Sequence, residues 1–182
     1  MIKDSIILGI DPGTNIMGYG VIKKKGSKID FLCLDVLLLN RTDDHHLKLK
    51  KIFEKTSELI KTFSPTEIAV EAPFFGKNPQ SMLKLGRAQG AVIIASMMHD
   101  LAITEYAPKK IKMAITGYGQ ASKEQVAGML MSMLSIDKKP KHLDSTDGLA
   151  AAVCHALQNN HLSTNKKQSW NQFIKQNPKR IN

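Results

Sequence analysis

Two short apolar runs in this chain each end on a carboxylate, and this constrains the fold more than any other feature. Residues 5–10 lead straight into Asp11, within Gly-Ile-Asp-Pro-Gly-Thr, and residues 68–70 lead into Glu71. Runs this short, bounded by turn residues, read as buried strands rather than helices. Asp11-Pro12-Gly13-Thr14 is turn chemistry. Both acids are therefore expected at strand ends.

The remaining elements follow from periodicity and punctuation. Residues 17–23 and 29–39 read as two further strands, with Gly26-Ser27 as the hairpin turn between them. Apolar residues at 47, 49, 52, 59, 60 and 63, with Lys and Glu between, predict an amphipathic helix that Ser64-Pro65 stops. Residues 67–71 form the next strand, and Pro73 to Pro79 a loop. Residues 81–99 predict a long helix carrying Gly86, Ala88, Gly90, Ala91 and Ala95. Small residues let another backbone approach, which suits a central helix or a dimer interface. A strand at 102–106 follows, then a short helix from Pro108 and a loop at Gly117-Tyr118-Gly119. Ser122 caps a helix ending near 134. A basic linker spans 136–142, and a last helix spans 144–158. Three strands followed by alternating helices and strands give an α/β fold: a mixed five-stranded sheet with helices on both faces. Ligands of such sheets bind outside the carboxyl ends of the strands, where Asp11 and Glu71 fall.

The chain's 182 residues suffice for one domain with a sizeable core. No apolar stretch approaches a membrane span, and the start lacks a signal peptide's pattern. Cys33 and Cys154 have no metal-ligand spacing and read as reduced core thiols of a cytoplasmic protein. Net charge is +10, but residues 159–182 supply half of it through Lys166, Lys167, Lys175, Lys179 and Arg180, without an acid. The expected organisation is one folded domain at 1–158 and a basic, flexible tail at 159–182. The body alone is only mildly basic, which is moderate evidence for nucleic acid.

The chemistry centres on four acids. Asp144 and Asp147 are three apart and share one helix face. If that face packs beside the two strand ends, four carboxylates converge. They would repel strongly unless cations lay between them. Mg²⁺ takes oxygen ligands, and two such ions can serve phosphodiester hydrolysis. An acidic cluster in a basic protein thus suggests metal-dependent cutting of nucleic acid. Each acid also has an ordinary reading: an Asx-turn for Asp11, a strand-end charge for Glu71, and helix capping for Asp144 with Asp147. Phe74 and Phe75 follow Glu71 in a polar loop, where they either plug the core or stack on an unpaired base. Lys77, Lys84, Arg87, Lys109, Lys110, Lys112 and Lys123 suit phosphates or simply a solvated surface. His142 could assist the metals, protonate a leaving group, or be a linker histidine.

Taken in order, residues 9–20, Glu71 with Phe74 and Lys77-Asn78, residues 83–90 and Asp144-Ser-Thr-Asp-Gly-Leu-Ala150 resemble the RuvC family of bacterial Holliday junction resolvases. The resemblance runs from about residue 6 to about residue 158. It implies a ribonuclease-H-like fold, a homodimer with two sites, and Mg²⁺-dependent nicking of two opposed strands of a four-way DNA junction. It implies that Asp11, Glu71, Asp144 and Asp147 bind two Mg²⁺ ions, that Phe74 inserts at the junction, and that Lys112 and Lys123 lie near the scissile phosphate. It also implies partnership with the RuvA–RuvB branch-migration complex. Pro73 and Phe75 depart from the family pattern and leave open which ring stacks. Three competing readings are a sugar-kinase or actin-type ATPase, a related nuclease acting on RNA, and a non-catalytic junction binder. The first needs a second phosphate loop that this chain lacks.

Overall fold

A computed structural model describes residues 4–73, 78–138 and 140–162, with side chains as far as Gln158. Ten elements follow in chain order: β1 Ser5–Asp11, β2 Ile16–Lys25, β3 Lys28–Leu38, α1 His45–Phe63, β4 Glu67–Glu71, α2 Pro79–Met97, β5 Ala102–Tyr106, α3 Pro108–Thr116, α4 Lys123–Leu134 and α5 Asp144–Leu162. The sheet order is β3-β2-β1-β4-β5. β2 is antiparallel to β1 and β3, while β1, β4 and β5 run parallel. The mixed five-stranded sheet is as expected. The two-residue hairpin turn sits at Gly26, whose φ of 61° a side chain would strain.

Period-two alternation splits the core into two layers. Leu8, Ile10, Met17, Tyr19, Val21, Ile68 and Val70 pack on α1 and α2. Ile7, Ile22 and Ala69 pack on α3, α4 and α5. Parity therefore assigns Asp11, which continues the Ile7–Gly9 set, and Glu71, which continues the Glu67–Ala69 set, to the α5 side. Glu67 confirms the assignment: its Oε2 lies 2.6 Å from His155 Nε2 on α5, while Tyr106 Oη lies 2.8 Å from His155 Nδ1.

α5 is buried nearly all round, with Leu149 to Ala156 all inside the core. Its docking depends on missing side chains. A Cβ at Gly148 would stand 2.5 Å from Tyr19 Cα and 2.6 Å from the Gly18 carbonyl oxygen. A Cβ at Gly20 would stand 2.5 Å from Leu149 Cα. Gly9 and Gly20 are directly paired across β1 and β2. Together with Gly18 they form a slot that brings the helix backbone against the sheet. The amphipathic phase of α1 differs from expectation: Lys48, Ile52, Thr56, Leu59 and Ile60 form the buried stripe, and Leu47 is exposed. α2 begins at Pro79, with Asn78 Oδ1 accepting from the Gln80 and Ser81 amides. Proline is well placed there, because the first helical amide has no partner to lose.

Candidate active site

Four acids and two lysines meet at the carboxyl end of the sheet. Asp11 and Glu71 come from adjacent parallel strands, one step past the Ile10–Val70 pair. Asp144 and Asp147 come from the first turn of α5, which the glycine slot holds over β1 and β2. The capping reading of these two aspartates gives way. The Ser145 and Thr146 amides donate to the carbonyls of His142 and Leu143. The carboxylates instead take Lys123, whose Nζ lies 2.7 Å from Asp144 Oδ1 and 2.5 Å from Asp147 Oδ2.

Lys123 is the first residue of α4, where a cation opposes the helix dipole. A capping box fixes it there: Ser122 Oγ accepts from the Gln125 amide at 3.3 Å, and Gln125 Oε1 accepts from the Ser122 amide at 2.8 Å. A lysine placed against the dipole and clamped to two aspartates is positioned by the site rather than by the helix.

Electrostatics binds the cluster together. Burial, and then the charges of Asp147 and Asp144, push Asp11 up to about 7. Burial, then Asp11 and Asp147, push Glu71 up to about 8. Asp147 is also raised, chiefly by burial, with Lys123 opposing. The two aspartates hold Lys123 above its ordinary value despite its burial. Lys112 on α3 draws both Glu71 and Asp147 back down. A cleft of about 310 Å³ opens here, lined by Glu71, Lys112, Lys123 and Asp147.

These raised values set a sign for stability. A carboxyl group that ionises later in the folded state than in the unfolded chain destabilises the fold progressively as pH rises between the two values. Metal-free protein should therefore be most stable near pH 4–5 and lose stability progressively toward pH 8. Thermal melts across pH in a chelator check this. A flat profile, or stability rising toward pH 8, would contradict the coupling of the acids.

The donor set is four carboxylates, hard oxygen ligands of the kind Mg²⁺ and Mn²⁺ prefer. Among the described residues, no three acidic, histidine or cysteine side chains are gathered closely enough to chelate an ion. Lys123 instead neutralises Asp144 and Asp147. Ligand chemistry and the shared field of the four acids fit a divalent cation.

Other expected residues divide. Lys112 and Lys123 reach the cleft. Lys110 sits over the Tyr106 ring at 5.0 Å, and the Lys109 stem covers Gly119. His142 lends its carbonyl to the start of α5, accepting from Ser145 Oγ at 2.6 Å. Phe74, Phe75 and Lys77 lie outside the described residues, as does most of the 159–182 tail. The glycine slot escaped the sequence reading, although Gly18 and Gly20 stand two apart on β2 and Gly9 lies on β1 beside them. That spacing was the available signal.

A ribonuclease-H-like sheet with strand-end carboxylates and two helix aspartates defines an α/β nuclease. The sequence model of the family described as "Crossover junction endodeoxyribonuclease RuvC" matches residues 7–155, and the chain belongs to that family. It is 59% identical to the crossover junction endodeoxyribonuclease RuvC of Christiangramia forsetii, over 98% of this chain and 94% of that one. It is 54% identical to the protein of the same name from Bacteroides fragilis, over 99% and 97%. Among solved structures, Thermus thermophilus RuvC in complex with a Holliday junction substrate superposes with a TM-score of 0.80 at 30% identity. That match covers 87% of this chain and 97% of the other.

Proposed function

We propose that this chain is an endonuclease that resolves four-way DNA junctions by paired, symmetric, Mg²⁺-dependent hydrolysis of two opposed strands. The observation that carries the reading is the gathering of Asp11, Glu71, Asp144 and Asp147 with Lys112 and Lys123 at one end of the sheet, in a chain of this family. Asp11, Glu71, Asp144 and Asp147 would hold the cation, two per site. Bound Mg²⁺ would supply an activated water and neutralise charge on the leaving oxygen. Lys112 and Lys123 balance the phosphate's negative charge, and the sheet end and α5 hold the acids in a fixed frame. Phe74 or Phe75 would stack on an unpaired base at the crossover.

The test is a synthetic four-way junction with Mg²⁺, beside a linear duplex of the same sequence. Symmetric nicks in the junction alone, lost in chelator while binding persists, are expected. Equal cutting of the duplex would overturn junction selectivity, and binding without any cleavage would favour a non-catalytic junction protein.

A homodimer fits both the roughly two-fold junction and α2. Leu83, Ile94 and Met97 are 65%, 53% and 60% exposed, and a Cβ at Gly86 or Gly90 would meet nothing within 4 Å. Residues 83, 86, 90, 94 and 97 recur every three to four positions, the spacing of a helix–helix seam. Ile94→Glu with Met97→Glu should yield a monomer by light scattering and abolish paired nicking. A dimer that survives both charges would place the interface elsewhere. Partnership with RuvA–RuvB rests on the family resemblance, and a cytoplasmic location on that resemblance and the free thiols Cys33 and Cys154.

A further inference from the structure

A second basic hollow, of about 480 Å³, opens on the opposite side of the sheet from the catalytic cleft. It lies where the β1–β2 turn meets the N-terminal ends of α1 and α2. Thr14 and Asn15 line it, three and four residues beyond Asp11. Three residues of chain reach at most about 11 Å, so hollow and carboxylates share one end of the sheet.

Its lining includes Arg41, His45, Lys48 and Lys84. Lys48 is only 8% exposed. Among the described residues, no ion pair or hydrogen bond engages its ammonium. His45 Nε2 is buried and also lacks a hydrogen-bond partner. The acid at the rim, Asp43, is already held by Lys51 at 2.6 Å. The buried stem of Lys48 holds its unpaired ammonium at the hollow, where it can meet an anion from outside. The helix ends do not themselves supply the site. Asn78 already caps the first amides of α2, and Asp44 accepts from the His46 amide at the start of α1. The ligand is therefore one that side chains recognise: a compact oxyanion taking several N–H and O–H donors at once.

We propose that this hollow binds a backbone phosphate of the DNA beside the cut, with Lys48 as its central contact and Arg41 and Lys84 at its mouth. This inference rests on the nucleic-acid reading above. A strand crossing the sheet end from the catalytic cleft to the hollow would pass over Asp11. Two phosphate grips on either side of the acids fix the register of the strand, so the hollow positions substrate and performs no chemistry.

The test uses the full chain with Lys48→Met, which keeps the buried stem, and with Arg41→Gln plus Lys84→Gln, whose positions are exposed and should not disturb folding. Junction binding is measured across salt concentration, and thermal stability with and without inorganic phosphate. Each variant should bind the junction roughly tenfold more weakly, the scale of one charge-assisted contact. The slope of log affinity against log salt should shrink by about one per cation removed. Cleavage at saturating junction reads the register: it should fall, or the nick should move along the strand, once the hollow no longer holds the phosphate. Unchanged affinity and slope in both variants would overturn the proposal. Phosphate stabilising wild type but not Lys48→Met, with DNA binding unchanged, would overturn it in favour of a free phosphate ligand. If wild type binds no junction at all, the functional reading fails first. The hollow then stands or falls as an oxyanion site on the phosphate melts alone.

Discussion

Asp11→Asn should cut junction cleavage by roughly a thousandfold or more, equivalent to about 4 kcal/mol of lost transition-state stabilisation. Asparagine keeps the shape of the side chain and removes its charge. Because Asp11 sits where burial, Asp147 and Asp144 all oppose ionisation, the loss of charge should raise the stability of metal-free protein at pH 8. Junction binding should persist or tighten, since one fewer negative charge then faces the phosphates. The variant thus separates catalysis from folding and binding in a single protein. Cleavage within tenfold of wild type would remove the acid cluster from the mechanism. A loss of cleavage accompanied by a lower melting temperature would mean that Asp11 supports the fold instead.

The second large effect is structural in origin. Gly148→Ala adds one methyl group, yet the atoms it meets are Tyr19 Cα and the Gly18 carbonyl, at 2.5 and 2.6 Å. These are backbone atoms, and no rotamer change relieves the clash. The helix must lift from the sheet. Overpacking of this kind costs about 1–3 kcal/mol, or a melting temperature lower by roughly 2–12 °C for a chain of this size. Lifting α5 also carries Asp144 and Asp147 away from Asp11 and Glu71. Misplacement by about 1 Å can cost a hundredfold in rate. The expected result is therefore joint loss of stability and cleavage, measured by calorimetry and by turnover well below the melting point. Gly128→Ala is the control. It lies on α4, where a Cβ would meet nothing within 4 Å, and it should gain up to about 1 kcal/mol from helix propensity. Full activity in Gly148→Ala would show that the acids tolerate a looser α5.

The strands, the sheet type and the four acids could be read from the chain because each has a local signature. A short apolar run between turn residues reads as a strand, and a carboxylate at its end is visible without any partner. What could not be read depends on distant partners. Lys48 lies between Leu47 and Leu49, and one-dimensional periodicity assigned the leucines inward. The fold instead buries Lys48 and exposes Leu47, because the sheet and α2 set the phase of α1. Gly9, Gly18 and Gly20 look like flexible positions until a helix backbone lies upon them. Lys123 is one cation among many until its capping box aims it at Asp144 and Asp147.

Alternation along β1 and β4 also governs which length changes this protein can survive. Asp11 reaches the α5 side because it stands an even number of steps from Ile7, and Glu71 because it stands an even number from Glu67. One residue inserted into either strand leaves the core pattern before it intact but turns its carboxylate toward the α1–α2 layer. A two-residue insertion keeps the face and overshoots the site. The two-residue turn at Gly26 and Ser27 and the link between α4 and α5 lie outside both strands and carry no such parity. Descendants of this sequence should thus vary in length between their elements, while the count of residues from core to carboxylate stays fixed.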